Sequence, residues 1–214
     1  KRYLWRAQPD HGWEKCYDAY QHDQDAPSNE KEYINIECPL PPERMKPCQG
    51  TASEGRANPK GIPYLYLSEG KNTAMAEVRP WVGSLISVGQ FETLRDLVLI
   101  NCSSEHPKVM FYIEEPDPLK REQAVWYDIN RAFSRPVNPS DSLADYAPTQ
   151  IIAELFKNNG FDGIVYNSSL GEDLNVVLFD LDSVRGICRY LYETKTVKFK
   201  FDPSKSPYWE CQNS

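Results

Sequence analysis

The chain has 214 residues, 40% of them apolar, and 24 Lys and Arg against 31 Asp and Glu, for a formal charge of −7. Size and apolar content suit one domain with a buried core, enlarged by an appendage. The acidic balance excludes general nucleic-acid or anionic-membrane binding, which needs a basic face.

No apolar run reaches the length of about 18 residues that a membrane span requires. The opening KRYLWRAQPD lacks the apolar centre of a signal peptide. Six Cys, at 16, 38, 48, 102, 188 and 211, show no CxxC spacing. They read as reduced thiols of a cytoplasmic protein rather than as a disulfide framework.

Tyr3-Leu4-Trp5-Arg6 is an apolar-aromatic run that predicts an opening strand. Arg6 is either a ligand contact just past that strand or a solvated strand-end charge. Residues 7–54 are polar and interrupted by Pro27, Pro39, Pro41, Pro42 and Pro47, which break long elements. This segment is expected to be a long, partly ordered insertion or lid within a single domain of residues 1–214. A short helix is expected around Trp13 to His22, with some order in YINIEC. His11, His22, Cys16, Cys38 and Cys48 match no common zinc spacing, so no metal site is assigned.

Pro63 to Leu67 predicts a strand after a Gly/Pro turn. Asn72 reads as an N-cap for a short helix through Glu77 that ends before Pro80. Leu85–Phe91 and Asp96–Cys102 are strand candidates. In Leu119–Phe133, Val125, Ile129 and Phe133 share a helical stripe beside Trp126, which reads as core packing. Pro148–Asn158 is a helix with Pro148 in its first turn, Ile151, Ile152, Leu155 and Phe156 as the buried face and Gly160 beyond its end. Gly163–Ser169 and Leu174–Asp180 are strands, the second apolar enough to be buried on both faces. The stretch RYLYETKTVKFKFD predicts one or two edge strands. This order of elements fits α+β better than a regular βαβ series.

The chain has no GxGxxG, no GxxxxGK[ST] and no GxSxG, and none of its three His is near a nucleophile motif. What stands out is Arg56 in a turn, Tyr66 on a strand, Glu77 on a helix, and Ser168 and Ser169 at a strand end. Such a set suits a ligand with phosphates, a flat ring and a ribose. Arg offers a forked donor to phosphate, and Tyr a stacking face. A carboxylate can hold ribose hydroxyls and stabilise an oxocarbenium-like carbon, while Ser hydroxyls bridge polar groups. Each residue also has a plain structural account. Arg56 could be a solvated charge, Tyr66 a core residue, Glu77 a partner of the positive end of its helix and Ser168 a turn cap.

Several blocks appear in a telling order: Gly55-Arg56-Ala57-Asn58-Pro59-Lys60-Gly61-Ile62-Pro63, Tyr66-Leu67-Ser68, and Ala74-Met75-Ala76-Glu77. They are followed by Tyr146-Ala147-Pro148-Thr149-Gln150, then Gly160 through Ser168, then Asn175-Val176-Val177-Leu178-Phe179. With these blocks the sequence resembles the RES-domain family, named for its Arg, Glu and Ser. The resemblance implies an ADP-ribosyltransferase-like α+β fold, with two packed β-sheets around an NAD cleft and helices outside. It implies an enzyme that consumes NAD as substrate, with no other cofactor. The bond cleaved would be the nicotinamide–ribose bond, with phosphate or water as acceptor. The biological setting implied is a bacterial toxin that depletes NAD and is held by an Xre-like antitoxin. Transfer of ADP-ribose to a protein is the alternative, and a non-catalytic nucleotide- or partner-binding module a further one. Carried over, Glu77, Arg56 and Tyr66 are the catalytic candidates, and Arg56, Tyr66, Ser168 and Arg6 the substrate-binding ones.

Overall fold

The structure, a computed structural model, describes residues 1–17, 33–103, 115–135, 143–198 and 200–201. Two β-sheets and peripheral helices make an α+β fold, as the sequence predicts. The sheets are unequal. The larger has seven strands in the order β6 (Leu99–Asn101), β7 (Gly163–Asn167), β8 (Leu174–Leu178), β4 (Leu65–Ser68), β1 (Tyr3–Gln8), β5 (Leu85–Thr93) and β9 (Val184–Glu193). All its neighbours are antiparallel except β6 and β7. The smaller is a hairpin of β2 (Gly12–Tyr17) and β3 (Tyr33–Cys38), paired from Gly12 opposite Cys38 to Tyr17 opposite Tyr33.

The apolar runs that predict central strands are buried on both faces. Along β8, Val176 and Leu178 join one core cluster with Leu4, Leu65, Leu67, Phe91 and Met45. Their neighbours Val177 and Phe179 join a second cluster with Tyr64, Ile164, Tyr166 and Phe133. That is the period-two alternation of a strand, with apolar partners on each side.

Helices α2 (Pro118–Ser134) and α3 (Ala147–Asn158) cover the second face. Asp117 caps α2 by accepting from the Lys120 N–H at 2.9 Å, with Pro118 in the first turn, where its missing donor costs nothing. The buried stripe of α2 is Trp126, Ile129 and Phe133, whereas Val125 is exposed. On α3 the expected face is corrected more strongly. Ile151 is 69% exposed and Leu155 57%, and contact is made by Thr149, Ile152, Ala153 and Phe156. The small Ala153 lets the helix lie close to the sheet.

Two further expectations change. Trp13 to Tyr17 is a strand, not part of a helix, and the remainder of the expected helix lies outside the described residues. Helix α1 (Lys71–Glu77) begins after Gly70 rather than at Asn72. A Cβ on Gly70 would overlap the carboxylate of Asp173, so the cap position takes no side chain. The C-terminal edge is the single strand β9, which begins at Val184 and ends at Glu193. Cys38, Cys48, Cys102 and Cys188 are free thiols. Among the described residues no helix is long and apolar enough to cross a membrane.

Candidate active site

Glu77 is the last residue of α1, with Val78 as the C-cap. The sequence placed it near the helix start, where a carboxylate gains from the helix dipole. At the opposite end the dipole disfavours it. Side-chain donors hold it instead. Ser168 Oγ donates to Glu77 Oε1 at 2.6 Å, and Asn175 Nδ2 donates to the same oxygen at 2.6 Å. Ser168 Oγ meanwhile accepts from the N–H groups of Leu170 and Gly171, both at 3.0 Å. With its lone pairs engaged, its proton is directed at Glu77. Asn175 is fixed from behind, since its Oδ1 accepts from the buried Ser68 hydroxyl at 2.6 Å. Glu77 Oε2 takes no hydrogen bond from the described residues.

Beneath this, Thr73 of α1 is buried and donates to Asp173 Oδ2 at 2.7 Å. A Cβ on Gly171 would overlap Thr73. The Ser168–Asp173 loop is thereby seated on the first turn of the helix that carries Glu77.

Tyr66 on β4 forms the next part of the wall. Its hydroxyl donates to Asn58 Oδ1 at 2.6 Å and accepts from the Ala57 N–H at 3.0 Å. Burial pushes the phenol up to about 12, against the pull of those loop contacts, so it stays protonated at neutral pH. Asn58 in turn donates to the carbonyls of Ser53, Pro59 and Ile62. Gln150 of α3 donates to Glu54 Oε1 and to the carbonyls of Gly55 and Asn58. The loop that presents Arg56 is therefore knitted from both sides. A Cβ on Gly55 would overlap the Tyr66 hydroxyl, which explains the glycine beside the arginine.

Arg56 Nη1 donates to the Ala132 carbonyl at 2.7 Å, near the C-terminus of α2, where a cation is favoured. Its guanidinium carbon lies 5.6 Å from the Tyr146 ring centroid. Nη2 is buried and has no hydrogen-bond partner among the described residues. A buried donor left unmade is costly, and a guanidinium donor is best met by an anion.

Arg6 is not a solvated strand-end charge. Nη1 donates to the Tyr66 carbonyl at 3.0 Å. With the Gln8 amide oxygen turned towards it, Gln8 accepts from Nη2 at 2.9 Å and Nε at 3.1 Å. Burial lowers its pKa to about 10, against the raising effect of Tyr66.

Two cavities open on this wall, of about 290 and 280 Å³. Both are lined by Tyr66, Glu77, Tyr166 and Asn175. The first adds Trp5, Arg6, Gln8 and Ser68, and the second Arg56, Arg79, Phe133, Arg135 and Ser169. Together they make a two-lobed cleft with Glu77 at the junction. Of the six residues that the sequence singles out, Arg6, Arg56, Tyr66, Glu77 and Ser169 line it directly. Ser168 lines neither lobe and reaches the site through Glu77, while Ser169 lines the second lobe. Sequence reasoning passed over Asn175, Ser68, Asn58 and Gln150. An Asn within the otherwise apolar run LNVVLF was a readable signal, because a buried polar side chain needs a partner.

The family model described as the RES domain matches residues 38–202. The chain belongs to the RES-domain family, the NAD-consuming family that its motifs resemble. Among solved structures, the crystal structure of the M. tuberculosis MbcT–MbcA toxin–antitoxin complex is similar to it. The identity is 11%, over 90% of this chain and 84% of that chain, with a TM-score of 0.45. No curated protein matches the chain.

Proposed function

We propose that the protein cleaves the nicotinamide–ribose bond of NAD. The observation that carries this reading is the cleft junction. There, Glu77, the one carboxylate among the described lining residues, is oriented through one oxygen and keeps the other free of hydrogen bonds from the described residues, between two lobes that suit the halves of a dinucleotide. As the C–N bond breaks, its electron pair leaves with the nicotinamide and positive charge builds on the ribose carbon. A carboxylate held in place at that point stabilises the charge without reorganising. Arg56 Nη2 supplies a buried donor for the diphosphate. Tyr66, locked by Asn58 and Ala57, acts as a rigid wall against which a flat ring can pack.

The acceptor in this reading is orthophosphate in preference to water. Among the described lining residues neither lobe has a His, an Asp or a second Glu. Water needs a base to become a good nucleophile, whereas phosphate is already anionic and the second lobe carries arginines. The new bond joins a phosphate oxygen to the ribose carbon, and the products are nicotinamide and ADP-ribose phosphate. As the family resemblance implies, NAD depletion would be the toxic effect and an Xre-like antitoxin the controlling partner.

The test is incubation of purified protein with NAD, with and without phosphate, and identification of the products. Phosphate-dependent release of nicotinamide is the expected result. NAD left unchanged in both, beside an active control, overturns the reading. Label from NAD appearing on a protein would replace it with ADP-ribose transfer.

A further inference from the structure

Arg79 stands two residues after Glu77 with a φ of +48°. Among the described residues it is the one non-glycine with positive φ, while Gly50, Gly61, Gly83 and Gly160 take the other left-handed positions. The position closes α1, where the chain turns left-handed and glycine fits without steric cost. Pro80 follows, and a residue before proline is itself pressed towards extended backbone. An arginine is therefore the wrong residue for this backbone on two counts. A strained residue beside a functional group points to work done by its side chain.

Its location indicates what that work is. Arg79 lines the second lobe together with Arg56 and Arg135, and Glu77 lies at the inner end of the same lobe. Three arginines surround one small cavity in a chain whose net charge is −7.

We infer that Arg79 is a further substrate-contacting residue, binding the diphosphate of the dinucleotide opposite Arg56. The inference rests on the NAD reading and adds to it a residue that the Arg, Glu and Ser of the family name do not include. One guanidinium provides one fork, and a diphosphate offers oxygens on two phosphorus atoms. Arg56 already gives Nη1 to Ala132, so a second fork is needed to engage both phosphates.

Arg79→Gly tests this, because it relieves the backbone while removing the guanidinium. The measurements are melting temperature, affinity for ADP-ribose and for adenosine by calorimetry, and steady-state cleavage of NAD. The glycine variant is expected to melt at or above the wild-type temperature. It should bind ADP-ribose about ten-fold or more weakly, the scale of a lost charge-assisted contact. KM for NAD should rise in parallel, with adenosine affinity held within about two-fold. Arg79→Lys, which keeps the charge but not the fork, should fall between the two. A glycine variant that matches wild type for ADP-ribose and NAD overturns the Arg79 inference alone. So does one that melts well below wild type, since that makes Arg79 a structural residue. Wild-type protein that neither binds ADP-ribose nor cleaves NAD overturns the NAD reading and this inference together.

Discussion

The wall formed by β4, α1 and β8 and the hairpin formed by β2 and β3 are built from the same kinds of residue and end in opposite states. At the wall, Ser68, Thr73 and Asn175 are buried, and each has a partner. On the hairpin, Trp13 is 62% exposed, and Ile34 and Ile36 also face outward. At the wall, buried polar groups brace a carboxylate, whereas on the hairpin apolar groups are left in solvent. The wall is thus a place where local stability depends on hydrogen bonds being complete. The hairpin contributes little that its own strand pairing does not provide.

The largest effect that would break this contrast is at Glu77. Glu77→Gln should lower NAD turnover by about 10²–10³-fold or more, the scale of losing a positioned electrostatic group, with the melting temperature nearly unchanged. Retained turnover would remove the chemical reason for the wall. Asn175→Ala strips donors and acceptors from Glu77 and Ser68 at once. It should slow turnover by about ten-fold or more and destabilise by roughly 1–3 kcal/mol through the unpaired buried groups, read from denaturant midpoints and kcat. Thr73→Val keeps the shape but removes the hydroxyl that meets Asp173. About 1–2 kcal/mol of stability should be lost, whereas Thr73→Ser should retain most of it.

A smaller effect is expected with pH at the β6–β7 end of the sheet. Asp162 accepts from Arg95 Nη2 and from the Val98 N–H, both at 2.7 Å. The Arg95 contact is the main cause holding its carboxyl below 3.8, partly opposed by desolvation. A depressed carboxyl adds stability that is complete above 3.8 and is lost as pH falls through the lower folded value. Melting temperature should therefore drop on acidification from pH 5 to pH 3, and Asp162→Asn should shrink that drop. Smallest of all is Trp13→Ala, which should shift stability by no more than about 0.5 kcal/mol. A larger loss would show that the hairpin supports the wall after all.

Much of this was legible in the residue pattern, for reasons that differ by element. The central strands were readable because burial on both faces demands near-continuous apolar runs, as in Leu65–Leu67 and Val176–Leu178. Arg56, Tyr66 and Glu77 were readable because motif blocks fixed their relative order, and Arg6 because it closes the apolar-aromatic run that opens the chain. The side of α3 that packs was not, since Ile151 and Leu155 satisfy helical spacing as well as Ile152 and Phe156 do. Only the approach of Ala153 to the sheet decides between them. Strand β2 was missed because Trp13, Glu14 and Lys15 are all exposed, so no burial imprints alternation on that part of its sequence. Ser168 was read as a cleft-lining hydroxyl, yet the amides of Leu170 and Gly171 turn its proton onto Glu77. That detail depends on a loop conformation that no single residue type encodes.

The ties of Glu77 reach far along the chain. Ser168 lies 91 residues beyond it and Asn175 lies 98 residues beyond it. During synthesis the N-terminal part appears first, so Arg6, Arg56, Tyr66 and Glu77 exist long before the strands that brace them. Strand β8 pairs directly with β4, and until it arrives the middle of the sheet is open. A ribosome stalled before residue 168 would therefore carry the carboxylate without either donor. Contacts between such distant segments form slowly, because the intervening loop must close first. In the proposed reading, NAD cleavage therefore waits for the segment that carries Ser168 and Asn175 to be made and paired.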